Sequence, residues 1–223
     1  MWFEGWDLLF ERQDWGKYPC EELVRFVARR FYAAPDRAAV RILEIGSGTG
    51  ANLWFLAREG FSAVGLDGSA VGLERARARF DEEGVKVELH RGDATDLPFA
   101  DQSFDAVLDV ECFCANSLAD TRKILAEAWR VLKPGGWIYS KTFMTGMSGE
   151  ATGRKLEGEP HTYLEMKDGP LQREGGLIRL TSEEEIPDLY GRFAPLEWDY
   201  LKRTVGNRSI EAGEWVITGR RPS

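Results

Sequence analysis

Between residues 40 and 143, short apolar runs alternate with helical stretches, and this rhythm constrains the fold more than any single motif. VRILEIG (40–46), FSAVGLD (61–67), VKVELHRGD (85–93), FDAVLDVE (104–111) and WIYSKTF (137–143) each read as a strand. Between them, residues 51–58 place Leu53, Leu56 and Ala57 on one face, and residues 69–84 and 118–132 also read as helices. Lys133-Pro134-Gly135-Gly136 halts the last of these. Strands alternating with helices predict an α/β fold: a doubly wound, mostly parallel sheet with right-handed crossovers. Two further stretches, about 194–205 and 213–220, predict an antiparallel hairpin added at the C-terminal end.

The flanking segments are less regular. Residues 1–34 combine an aromatic segment (Trp2, Trp6, Trp15 and Tyr18) with an amphipathic helix, CEELVRFVARRF, over 20–31. Residues 144–180 are rich in glycine and charge and read as a long surface excursion, of the kind that usually carries function. Thr181 and Glu184 have the spacing of a capping box for a final helix. No repeat is visible and nothing marks a second domain, so residues 1–223 read as one domain.

Charge narrows the partners. With 29 basic and 37 acidic residues the net charge is −8, which argues against nucleic acid or an anionic membrane surface. Arg75-Ala-Arg77-Ala-Arg79 lies beside Asp81, Glu82 and Glu83 and reads as a solvated helix face. No apolar run approaches the roughly 18 residues of a membrane span. The opening MWFEGWDLLFERQDWG lacks the basic start of a signal peptide. Three cysteines (Cys20, Cys112 and Cys114) without a disulfide framework fit a reducing cytoplasm. With His90 and His161 as the only histidines, Cys112 and Cys114 make a poor zinc site, and no metal is expected.

The stretch EIGSGTGA (44–51) can be read in two registers. Gly46, Gly48 and Ala51 satisfy the dinucleotide fingerprint, whereas Gly46, Gly48 and Gly50 satisfy the G-x-G-x-G loop of S-adenosylmethionine binders. Glu44 tilts the choice: an anionic pyrophosphate gains nothing from a carboxylate there, whereas the ammonium of a methionine tail does. Asp67 ends the second run and suits a ribose in either register. Asp93 closes the third run, where an adenine amino group could donate to it.

In order, the glycine loop, Asp67, Gly92-Asp93, Leu97-Pro98-Phe99, Ser103-Phe104-Asp105 and Arg130-Val-Leu-Lys-Pro-Gly-Gly136 resemble the class I S-adenosylmethionine-dependent methyltransferases, and among them the small type 11 group. The resemblance covers about residues 40–143. It implies a seven-stranded Rossmann-like sheet and S-adenosylmethionine as cofactor. Carried onto matching positions, it implies that Gly46 and Gly48, with Glu44 behind, hold the methionine part and that Asp67, with Gly68 beside it, takes the ribose. Asp93, the backbone of Ala94, and Leu97 would surround the adenine, and Asp109 would lie near the sulfonium. Trp15 and Tyr18 could fold over the cofactor as a lid.

Methyl transfer is an in-line displacement that asks mainly for alignment and exclusion of water. The segment after the fourth strand lacks the Asn/Asp-Pro-Pro-Tyr motif of enzymes acting on planar amides. It also lacks the histidine that many type 11 relatives carry near Ala115, which leaves Glu111 and His161 as candidate bases. The expectation is a cytoplasmic enzyme methylating a small molecule on oxygen, nitrogen or carbon. The alternatives are a catalytically silent cofactor-binding partner or, through the other register, a nicotinamide oxidoreductase. Nothing in the sequence marks the acceptor or an oligomeric state.

Overall fold

The structure is a computed structural model describing residues 5–13, 15–172 and 176–223; Trp2 of the aromatic segment lies outside the described residues. Helices α1 (Gly5–Arg12) and α2 (Glu21–Phe31) precede β1 (Arg41–Ile45), α3 (Ala51–Arg58), β2 (Ser62–Asp67), α4 (Ala70–Glu83) and β3 (Glu88–Arg91). Then come β4 (Phe104–Val110), α5 (Leu118–Val131) and β5 (Leu132–Phe143). A short hairpin, β6 (Thr162–Tyr163) with β7 (Ile178–Arg179), precedes α6 (Glu185–Tyr190), β8 (Leu196–Val205) and β9 (Ile210–Arg220).

The main sheet has seven strands in the order β3-β2-β1-β4-β5-β9-β8. The first five are parallel, and β9 inserts antiparallel between β5 and β8, as the sequence predicts. Strand order reverses between β1 and β4, and a crevice for ligands opens at such a switch point, outside the carboxyl ends of the strands. Register decides which side chains meet there. Ile45 pairs with both Leu66 and Asp109, so Glu44, Asp67 and Asp109 all arrive at one edge.

Alternation along the strands builds one apolar core on each face of the sheet. Leu43, Ile45 and Val107 pack with Ile124, Leu125 and Ala128 of α5 on one side. Ile42, Ala106 and Leu108 pack with Leu23 and Val27 of α2 and Leu53 and Leu56 of α3 on the other.

Several motif pieces act as scaffold. The Arg130 guanidinium donates to the carbonyls of Leu97 (2.9 Å) and Phe99 (2.7 Å), while Glu127 accepts the Leu97 N–H at 2.8 Å. Lys133 binds both carboxylate oxygens of Asp105, at 2.9 and 2.8 Å. The Lys-Pro-Gly-Gly run ends the helix and then joins β5, with a register shift against β4 and Gly135 at φ 79°.

Three expectations need correction. The 144–180 excursion carries a core of its own: Phe143, Met147, Tyr163, Met166, Ile178, Leu180 and Ala212 bury together with Cys114. Thr181 does not cap α6. Its backbone is committed to Phe143 and Thr145, and the reach-back comes from Glu185, whose Oε2 accepts the Ser182 N–H at 2.8 Å. The arginine row of α4 is not simply solvated. Arg75 donates to the carbonyls of Gln13 (3.0 Å) and Glu11 (3.2 Å), and Arg79 to that of Lys17 (2.7 Å).

Leu108 is fully buried in the central strand. Leu108→Ala should cost about 2–5 kcal/mol in urea denaturation. Val205→Ala, on exposed β8, should stay within about 0.5 kcal/mol of wild type.

Candidate functional site

At the carboxyl edge of the sheet lies a cavity of about 400 Å³. Its floor is the glycine loop between β1 and α3. Gly46 and Ser47 donate their N–H groups to the Leu66 carbonyl, at 2.8 and 3.2 Å, folding the loop over β2. Gly46 has φ 74°, and a Cβ there would lie 2.3 Å from Cys112 Sγ. Gly50 has φ 80° and leads into α3, and a Cβ there would lie 2.4 Å from the Phe80 ring. The third position that demands glycine is therefore Gly50, while Ala51 is the first residue of the helix. This is the geometry of the G-x-G-x-G register.

Glu44 lies beneath the loop, almost wholly buried. Asn52 Nδ2 donates to its Oε1 at 2.6 Å, and its Oε2 has no partner among the described residues. Burial pushes its pKa up to about 8, with Asp67 and Asp109 adding repulsion and Asn52 opposing. Ser47 Oγ is also buried without a partner. The site thus contains a buried acid and a buried hydroxyl with unmet hydrogen-bonding capacity.

Asp67 has two structural tasks. Its Oδ2 accepts the Gly48 N–H and its Oδ1 the Ser69 N–H, each at 2.7 Å, and burial raises its pKa. The Asp93 carboxylate accepts the Thr95 N–H and hydroxyl on Oδ1, both at 2.8 Å, which hold its pKa below the usual range.

Glu44, Gly46, Gly48, Asp67, Gly68, Asp93, Ala94, Glu111, Trp15 and Tyr18 all line this cavity. Three expected residues fall elsewhere. Leu97 is buried in the core, where Glu127 and Arg130 grip its backbone, so it is not a lining residue. Asp109 lies beneath the wall, fully buried. Its Oδ1 accepts the N–H groups of Cys112 and Phe113 and its Oδ2 the Ser140 hydroxyl, so it shapes the 110–113 turn. Burial lifts its pKa to about 7. His161 is absent from the lining; at φ 48° it turns into β6, and its carbonyl accepts the Leu180 N–H.

Other lining residues have weak sequence signals. Trp6 and Phe10, four apart on α1, pack with Trp15 at ring separations of 5.3–6.2 Å over Gly48. The i, i+4 spacing was the available cue. Asp7 accepts from the Ser69 hydroxyl and so joins this lid to α4. Beyond the loop, Cys112, Cys114, Asn116, Phe143, Leu171 and Ile178 complete the cavity. Among the described residues no group of His, Cys, Asp and Glu is arranged to hold a metal ion.

Residues 42–136 match the family described as a methyltransferase domain. A demethylmenaquinone methyltransferase of Clavibacter sepedonicus is 44% identical over 108 residues, covering 48% of this chain and 43% of that protein. Phthiotriol/phenolphthiotriol dimycocerosates methyltransferase 1 of Mycobacterium ulcerans is 30% identical over 179 residues, covering 78% and 64%. The chain therefore spans less than half the length of the first relative and just under two thirds of the second. A crystal structure of a SAM-dependent methyltransferase from Methanosarcina mazei shares the fold. Its TM-score is 0.71 at 22% identity, over 92% of this chain and 99% of that one.

A carboxyl whose pKa is higher folded than unfolded stabilises the fold below its unfolded value, and that stability is lost as pH rises through the folded value. Wild type should therefore lose stability between about pH 4.5 and about 8 on account of Glu44. Glu44→Gln should flatten that part of the profile, read by urea denaturation across the window. Parallel profiles would remove the assignment.

Proposed function

We propose that this chain, whose residues 42–136 match the family described as a methyltransferase domain, transfers the methyl group of S-adenosylmethionine to a small-molecule acceptor. The observation that carries this reading is Glu44, a buried acid with an unpartnered oxygen beside the glycine loop. An ammonium placed there satisfies that oxygen and favours its ionised form, whereas a pyrophosphate does neither.

The chain's own residues divide the work of binding. Ser47 Oγ and the N–H groups at the start of α3 offer donors to a carboxylate. Asp67 gives each oxygen to one backbone N–H and keeps acceptor capacity for ribose hydroxyls, with Gly68 beside it. Asp93 Oδ2, unused by Thr95, and the Ala94 backbone suit an adenine edge. Trp15 and Tyr18, with Trp6 and Phe10, cover this end and exclude water. When bound, the cofactor supplies an electrophilic methyl group on a sulfonium. The protein's task is to hold that group in line with the acceptor.

Cys20, Cys112 and Cys114 are thiols outside any disulfide, which suits a reducing, cytoplasmic setting. Among the described residues no helix is long and apolar enough to cross a membrane. Nucleic acid and membrane surfaces are not expected as partners at net charge −8.

Calorimetry tests the assignment. S-adenosylhomocysteine should bind and, near pH 7, release close to one proton as Glu44 ionises, seen by repeating the titration in buffers of different ionisation enthalpy. Glu44→Gln should bind without that release. Tight binding of NADH with none of S-adenosylhomocysteine would sink the reading.

Three further variants, at two positions, probe the ends of the site. Asp67→Ala should weaken S-adenosylhomocysteine by about 1.5–3 kcal/mol. Asp67→Asn is its milder companion, since Asp67 also anchors Gly48 and Ser69. Asp93→Ala should weaken binding with the fold intact by circular dichroism, and unchanged affinity would remove Asp93 from the adenine site.

A further inference from the structure

The half of the cavity beyond the glycine loop has a different chemistry. Its walls include Val110, Phe143, Leu171 and Ile178, and they carry one charged side chain among the described residues, Glu111. Among the described residues the charged side chains lining the cavity are Glu44, Asp67, Asp93 and Glu111, and no lysine, arginine or histidine is among them.

Glu111 is held there at some cost. It is a non-glycine residue at φ 61°, a conformation that persists when the surroundings enforce it and that clusters at functional sites. Its N–H is fixed by the Lys141 carbonyl at 2.8 Å, and its own carbonyl accepts from Cys114 Sγ at 3.0 Å. Its carboxylate meets Lys141 Nζ at 2.7 Å, and the same ammonium meets Glu214 at 2.7 Å. Lys141 and Glu214 are 7% and 8% exposed, whereas Glu111 is 36% exposed and is the member that reaches the cavity. Two carboxylates share one ammonium, so one negative charge on the wall is uncompensated. An anionic acceptor would be desolvated against that charge with no cation among the described lining residues to receive it.

We propose, building on the methyltransferase reading, that this half of the cavity takes a largely apolar, neutral or cationic acceptor whose reacting oxygen or nitrogen carries a proton, and that Glu111 receives that proton. The acceptor atom forms its bond to the methyl carbon as the bond from carbon to the donor sulfur breaks. The electron pair of that bond stays on sulfur, and the acceptor's proton passes to the Glu111 carboxylate. Lys141 positions the carboxylate, and Glu214 retains the ammonium once Glu111 is neutral.

The test uses the full chain saturated with S-adenosylhomocysteine and three probes with one apolar body: 4-phenylbutylamine, 4-phenylbutanol and 4-phenylbutyrate. The amine or the alcohol should raise the melting temperature and the carboxylate should not; which of the two acts separates nitrogen from oxygen acceptors. Stabilisation by the carboxylate, or by none of the three, overturns the proposal. Glu111→Gln should keep its S-adenosylhomocysteine affinity within about threefold, lose the discrimination against 4-phenylbutyrate, and slow turnover of the active probe by about 10²–10⁴-fold. Full turnover in Glu111→Gln also overturns it. If that variant fails to fold, the selectivity of the wild type decides. Loss of S-adenosylhomocysteine binding by the wild type would sink the methyltransferase reading itself, whereas a reversed probe pattern with that binding intact sinks only the acceptor inference.

Discussion

The site depends on the carboxylate of Asp67 being held at the end of β2 with one oxygen on the Gly48 N–H and the other on the Ser69 N–H. Those two bonds tie the glycine loop after β1 to the turn before α4, so two crossovers share one anchor. Parallel pairing of β1 with β2 and β4 brings the strand ends into step, and Asp67 fixes what emerges from them. Asp109, on β4 at the other side of β1, repeats the device by gathering the N–H groups of Cys112 and Phe113. A buried acid at the end of a strand thus serves first as a clamp on backbone donors.

That dual use explains how far the sequence could be read. Strand-and-helix alternation exposed the sheet, because buried parallel strands are uniformly apolar and their glycine stops are local signals. Three acids of the cavity lining were legible for the same reason: Glu44, Asp67 and Asp93 stand at or just beyond strand ends, where position brings them to the carboxyl edge of the sheet. Leu97 and Asp109 lie behind the lining rather than in it, because a motif carries fold-holding residues beside those that reach the cavity. Only the contacts to Arg130 and Ser140 separate them. The place of His161 outside the cavity lining had no long-range cue, since a histidine in an irregular segment has no periodicity to aim it.

The half of the cavity beyond the glycine loop was opaque for a related reason. Phe143, Leu171 and Ile178 come from a strand end and the folded excursion, and tertiary packing around Cys114 brings them together. The excursion's composition suggested a surface path because its apolar residues are sparse, yet those few converge into a compact core. Glu111 was visible as a carboxylate, but its link to Lys141 and Glu214 spans three strands and exists only once β9 has inserted beside β5.

The tethering of the aromatic lid has a consequence for how such a protein can diversify. Arg75 and Arg79 grip main-chain carbonyls of residues 11, 13 and 17, and they ignore the side chains that those residues bear. Every amino acid offers the same carbonyl, so this fastening is indifferent to the identity of the segment it holds. The attachment of the lid and the chemistry of its inner surface are therefore separately variable. Drift in the aromatic residues above the cavity can remodel what is admitted beneath them while the hinge side stays latched to α4.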